Sequence, residues 1–154
     1  MRGLATQIAT VGGLGRVPWA PGTWGSAVGF LLGMMMVRIF RVPAHTILLL
    51  ISFVASTLIC TQAEQELNRH DPPSIILDEV WAMWAIVAML PWTALAVSKG
   101  LLAFVLFRLF DIAKPAPLQH LARLPSGLGI MADDLGAAVY VVLILWGLRQ
   151  FLSL

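Results

Sequence analysis

Apolar positions along the chain gather into five runs separated by short polar breaks. The first, Gly25–Val37, stops at Arg38, and the second extends from about Ala44 to Thr61. The third, Val80–Val97, carries Asp78 and Glu79 at its mouth and Pro91 inside. The fourth, Leu101–Ile112, is interrupted by Arg108 and closed by Asp111, and the last, Leu135–Leu148, ends at Arg149. A helix needs about 20 residues to cross a bilayer. The second and third runs are therefore comfortable spans alone; the others are borderline and compatible with tilted, partly buried or re-entrant segments. Residues 1–24 hold isolated cations and Gly12, Gly13, Gly15, Pro18, Pro21 and Gly22, with no cleavable signal pattern. They read as an amphipathic start followed by an irregular loop. The expected architecture is all-α: one domain over 1–154, with residues 25–149 forming an integral membrane helical bundle.

If all five runs cross, loops 1–24, 62–79 and 112–134 share one side of the membrane. Loops 38–43 and 98–100 and the C-terminus share the other. The first side holds Arg2, Arg16, Arg69, Lys114 and Arg123, with Arg108 at its edge; the second holds Arg38, Arg41, Lys99 and Arg149. The excess is small and points the first side to the cytoplasm. The same parity gathers most of the acidic residues onto that face.

Composition sharpens the class. The set AVILMFWYC makes up 59% of the chain before its 13 glycines are added, against about 45–50% with glycine in soluble domains. Charged residues are 12%, about half the usual share. A disordered chain, a coiled coil and a soluble enzyme with a charged shell are excluded. One cysteine permits neither an internal disulfide nor a thiolate zinc cage. Ten Lys/Arg are too sparse for a nucleic-acid surface.

Against that background the acidic residues stand out. Asp78, Glu79, Asp111, Asp133 and Asp134 lie beside or within apolar runs, where ionisable groups are costly and mark function by default. Asp78-Glu79 and Asp133-Asp134 are adjacent pairs that repel themselves unless neutralised. A hard divalent cation does this, and Mg²⁺ favours carboxylates together with water and a substrate phosphate. Either pair alone serves equally well as favourable charge at a helix N-terminus. Two pairs plus Asp111 on one face favour a metal site. Arg108, Asp111 and Lys114, spaced i, i+3, i+6, form a cation–acid–cation stripe that suits a phosphate or a structural salt-bridge ladder.

Other signals are weaker. In Pro18-Trp19-Ala20-Pro21-Gly22-Thr23-Trp24-Gly25-Ser26 the prolines and glycines predict a non-helical path, after which Thr23 or Ser26 caps the next helix. Gly25, Gly29 and Gly33 predict a smooth face for close helix packing. Gly12-Gly13-Leu14-Gly15 lacks the pattern of a nucleotide loop. Cys60, with no basic neighbour in sequence, reads as a small core residue. His45, His70 and His120 show no triad or metal spacing.

Three segments together resemble the phosphatidylglycerophosphatase A family of bacterial membrane lipid phosphatases. They are Ala20-Pro21-Gly22-Thr23-Trp24-Gly25-Ser26, Ile76-Leu77-Asp78-Glu79, and Phe107–Pro117 with Gly127–Asp134. Order and spacing match over roughly residues 10–148. Ala82 stands where members usually carry glycine, and Ser126 replaces the first of a glycine pair. The resemblance implies an all-helical fold packed around a central helix. It also implies Mg²⁺-dependent removal of the terminal phosphate of phosphatidylglycerophosphate, giving phosphatidylglycerol and phosphate at the inner membrane. The family's acidic positions fall on Asp78, Glu79, Asp111, Asp133 and Asp134 as metal ligands. Its phosphate-side positions fall on Thr23, Ser26, Arg108 and Lys114.

Metal-assisted phosphomonoester hydrolysis is the expected chemistry, with Asp78, Asp111, Asp134 and Lys114 as catalytic residues. Direct attack by water and a covalent aspartyl-phosphate on Asp111 or Asp78 are both open. So are another phospholipid or polyprenyl phosphate as substrate, a small ion-transporter subunit as the activity, and a homo-oligomer as the assembly.

Overall fold

The structure is a computed structural model describing residues 3–90 and 97–152. Among the described residues every regular element is helical. The helices are α1 (Leu4–Ala9), α2 (Pro21–Ile39), α3 (Val42–Leu67), α4 (Leu77–Met89), α5 (Val97–Ala113), α6 (Leu118–Leu121) and α7 (Gly127–Leu152), with a 3₁₀ turn at Leu14–Arg16. The all-α membrane bundle is as expected.

Among the described residues, three helices are long and apolar enough to cross a bilayer: Pro21–Ile39, Val42–Leu67 and Gly127–Gln150. On α3, Ile47, Leu50, Ile51, Val54 and Leu58 face outward, an apolar surface suited to lipid. The third apolar run departs from its expected span. Its helix α4 has 13 residues, about 20 Å of rise against a hydrocarbon core of about 30 Å. Residues 80–87 are all buried, Val80 through Val87 without a break. Such a helix is apolar all round because protein, not lipid, surrounds it. It packs against α2, α3, α5 and α7, and so is the central helix of the bundle. Leu90 is already extended; Pro91 and the residues up to 96 lie outside the described residues.

Two other runs prove longer than their apolar cores. Helix α2 begins at Pro21, following Ala20 in the left-handed region at φ 44°. Proline at the first helical position lacks the N–H that would have no partner there. Thr23 is therefore inside the first turn, and no side chain caps the helix, unlike the expected Thr23 or Ser26 cap. Helix α7 begins at Gly127, eight residues before its apolar run, and so takes in Asp133 and Asp134.

The glycine face of α2 does pack closely. A Cβ on Gly29 would lie 2.8 Å from Val80 Cα, so the two helices touch backbone to backbone. At the N-terminus, Glu66 of α3 accepts the Thr6 N–H at 3.0 Å and the Thr6 hydroxyl at 2.5 Å, docking α1. The Ala9 carbonyl then accepts the Ile76 N–H at 3.0 Å, just before α4. Gly127 N–H donates to Thr61 Oγ1 at 3.2 Å, seating the start of α7 on α3. In the other half of the bundle, Trp84 Nε1 donates to His45 Nε2 at 2.8 Å and Trp81 Nε1 to Ser52 Oγ at 3.0 Å.

Candidate active site

The start of α4, the end of α5 and the second turn of α7 meet beside the start of α2. Asp78 and Glu79 are in the first turn of α4, where the positive end of the helix dipole favours carboxylates. Asp134 reaches them from α7, and one oxygen from each of the three lies within 4.8 Å of the others. Asp134 is 2% exposed and Asp78 9%. Asp78 Oδ1, Glu79 Oε2 and Asp134 Oδ2 are buried without a hydrogen-bond partner. Buried polar atoms are normally satisfied, so this donor set of unpaired carboxylate oxygens suits a hard divalent cation. Helix α4 lies outside the three spanning helices, and its carboxyls are strongly perturbed. Burial first, and then the Glu79 charge, holds Asp78 well above the usual carboxylate range. Burial and then the Asp134 charge push Glu79 up to about 8.

Cations flank the acids. Arg108 Nη1 is 2.5 Å from Asp111 Oδ2 and 3.8 Å from Glu79 Oε1, while its buried Nε has no partner. Gly22 makes room for this group: a Cβ there would run into Glu79 Oε1 and stand 2.8 Å from Arg108 Nη1. Lys114 follows the last turn of α5 and donates to Asp133 Oδ2. Burial pulls the Lys114 ammonium down, but the Asp133 bond and charge outweigh it and hold the group above the usual lysine value. It is therefore a fixed positive charge.

Three of the five acids singled out in sequence thus share one point, and two are engaged elsewhere. Asp111 is bound to Arg108, and Asp133 to Lys114. Ser26 is fully buried and its hydroxyl donates to the Gly22 carbonyl at 2.8 Å. Thr23 is half-buried beside Gly22 in the first turn of α2. Sequence reasoning missed Asp71, an exposed residue whose charge acts on both Asp78 and Lys114. It also missed Glu64, buried on α3. The His70-Asp71-Pro72-Pro73 turn just ahead of the acidic pair was the available signal.

Comparison with known proteins shows the family of the chain. Residues 7–149 match the family described as Phosphatidylglycerophosphatase A. A Phosphatidylglycerophosphatase A of Haemophilus influenzae is 34% identical over 141 residues, covering 91% of this chain and 85% of that protein. The one of Escherichia coli is 30% identical over 131 residues, covering 82% and 73%. A Bacteroides thetaiotaomicron protein, provisionally named a phosphatidylinositol-3-phosphatase, is 28% identical over 140 residues, covering 89% and 88%. No solved structure gives a significant match. With its match across nearly the whole length and two relatives of that name, the chain belongs to the phosphatidylglycerophosphatase A family and is a phosphatase.

Proposed function

We propose that this protein removes the terminal phosphate of phosphatidylglycerophosphate with Mg²⁺, at the cytoplasmic face of a bacterial inner membrane. The observation that carries the reading is the cluster of Asp78, Glu79 and Asp134, with unpaired buried oxygens, facing Arg108. The two relatives named as phosphatidylglycerophosphatases support the substrate. Trp19 is 80% exposed and Trp24 49% at the site end of α2. Tryptophans of this kind sit at headgroup level, the depth at which a lipid's phosphate is found. With Pro21–Ile39, Val42–Leu67 and Gly127–Gln150 as the spans, Arg16, Arg69, Lys114 and Arg123 lie on the site side against Arg38, Arg41 and Arg149 on the other, a small excess that supports the cytoplasmic orientation.

Asp78, Glu79 and Asp134 would hold the ion. When bound, magnesium supplies positive charge to the phosphate oxygens and acidifies water. Arg108 has a spare, buried Nε–H and a guanidinium already oriented by Asp111, so it donates to a phosphate oxygen without reorganising. Lys114, held charged by Asp133, adds a second cation. In hydrolysis the water oxygen bonds to phosphorus, the phosphorus–oxygen bond to the glycerol breaks, and a site carboxylate accepts the water proton. The glycerol oxygen leaves as a hydroxyl by taking up the proton that the carboxylate received, which regenerates the site.

Phosphate release from a lipid panel tests the reading, comparing phosphatidylglycerophosphate with phosphatidate, phosphatidylinositol 3-phosphate and a polyprenyl phosphate. Phosphatidylglycerophosphate is expected among the best substrates. Preference for any of the others, with phosphatidylglycerophosphate poorly cleaved, would overturn the assignment.

A further inference from the structure

Helix α3 carries a buried carboxylate that the proposed chemistry does not use. Glu64 is 8% exposed, near the end of the helix. Its Oε1 accepts the Asp71 N–H at 2.7 Å and stands 2.8 Å from His70 Nδ1. Between them the chain reverses through two left-handed residues, Asn68 at φ 48° and Asp71 at φ 43°. Such conformations are unfavourable for residues other than glycine and persist where the surroundings hold them. The reversal takes the Asp71 N–H out of any helix, and a backbone donor needs an acceptor; Glu64 is that acceptor. Seven residues later comes Asp78. The same segment is pinned at its far end, where Ile76 N–H donates to Ala9, and braced within by Ile75 N–H donating to Pro72 at 2.9 Å. The first turn of α4, with its two site carboxylates, thus hangs from a connection fixed at Asp71 and at Ile76.

We propose that Glu64 is a positioning residue of the phosphatase site: by holding the 68–76 segment it sets where Asp78 and Glu79 stand relative to Asp134. This role rests on the reading that those three carboxylates carry the hydrolysis. Misplacing a reacting group by about 1 Å can cost about 100-fold in rate, so a loosened connection is read first in kcat.

The test uses the full chain in detergent micelles. Glu64→Met keeps the side-chain volume but removes the acceptor, and Glu64→Gln keeps an oxygen for the Asp71 N–H. Phosphate release from phosphatidylglycerophosphate and amide hydrogen exchange are measured on both. Glu64→Met is expected to lose at least about tenfold in kcat with KM changed less than about threefold. Exchange should accelerate in 68–76, while α3 and α7 remain protected. Glu64→Gln should recover most of the rate and the protection. Unchanged turnover in Glu64→Met overturns the role. So does a folded Glu64→Gln as inactive as Glu64→Met, which keeps the test decisive should Glu64→Met fail to fold. A wild-type chain that releases no phosphate refutes the hydrolytic reading and this role with it, whereas normal turnover in Glu64→Met refutes the role alone.

Discussion

Asp134→Asn separates what the site costs the fold from what it contributes to the reaction. Oxygens of Asp78, Glu79 and Asp134 lie within 4.8 Å of one another. At that separation two full negative charges repel by about 3.5 kcal/mol for an effective dielectric of about 20. Asparagine is nearly the same shape and removes both of the pairs that Asp134 makes. Proton uptake limits the strain that wild type bears, because a carboxyl that binds a proton escapes the repulsion. The expected net relief in EDTA at pH 8 is about 1–3 kcal/mol, so the variant should unfold several degrees above wild type. In Mg²⁺ the order should reverse, since wild type gains stability from the bound ion and the variant lacks a ligand for it. Phosphate release should fall by more than the roughly 10–100-fold typical of a supporting partner. Thermal unfolding in one detergent, with EDTA and then with Mg²⁺, is measured beside phosphate release. A variant less stable than wild type in EDTA, or one that turns over normally, would refute the reasoning.

Four further outcomes follow from the same geometry. Glu79 holds a proton to about pH 8 in the folded chain, well above its ordinary value, so the folded state binds more protons than the unfolded one across that window. Stability in EDTA should therefore fall as pH rises toward 8, by up to about 1.4 kcal/mol per unit for one proton; an unfolding series that rises with pH contradicts this. Lys114→Met should lose about 100-fold or more in kcat/KM and leave buried Asp133 unpaired, with lower thermal stability as the second readout. Ser26→Ala should keep activity within about threefold, because that hydroxyl is committed to the Gly22 carbonyl; a large loss in phosphate release would instead put Ser26 on the substrate. Gly29→Ala should destabilise by about 1–3 kcal/mol, as its Cβ would meet the Val80 backbone, and unfolding measurements check it.

Much of the site was legible because its residues break a rule. Carboxylates are rare in an apolar chain, so Asp78, Glu79 and Asp134 are visible before any fold is known. Which acids face one another depends on helix packing, and there sequence fell short. Asp111 and Asp133 belong to the same motifs but point to Arg108 and Lys114. The central helix was misread as a span for a similar reason, since lipid and a surrounding bundle select the same apolar residues. Pro21 and Gly22 read as a loop because both punctuate chains; proline also starts helices, and here glycine lets α2 approach Arg108. Glu64 carried no local signal, and Asp71 only that of the His70-Asp71-Pro72-Pro73 turn. Their pairing exists only once the chain has turned back at Asn68.

The most direct measurement is inorganic phosphate released from phosphatidylglycerophosphate by the purified chain, in Mg²⁺, in EDTA, and after Mg²⁺ is restored, with Asp78→Asn beside wild type. Turnover in Mg²⁺, none in EDTA, recovery on re-addition and a silent but folded Asp78→Asn are the predicted results. Equal rates with and without the ion, or wild-type rates in Asp78→Asn, would contradict a carboxylate-held metal as the centre of this phosphatase.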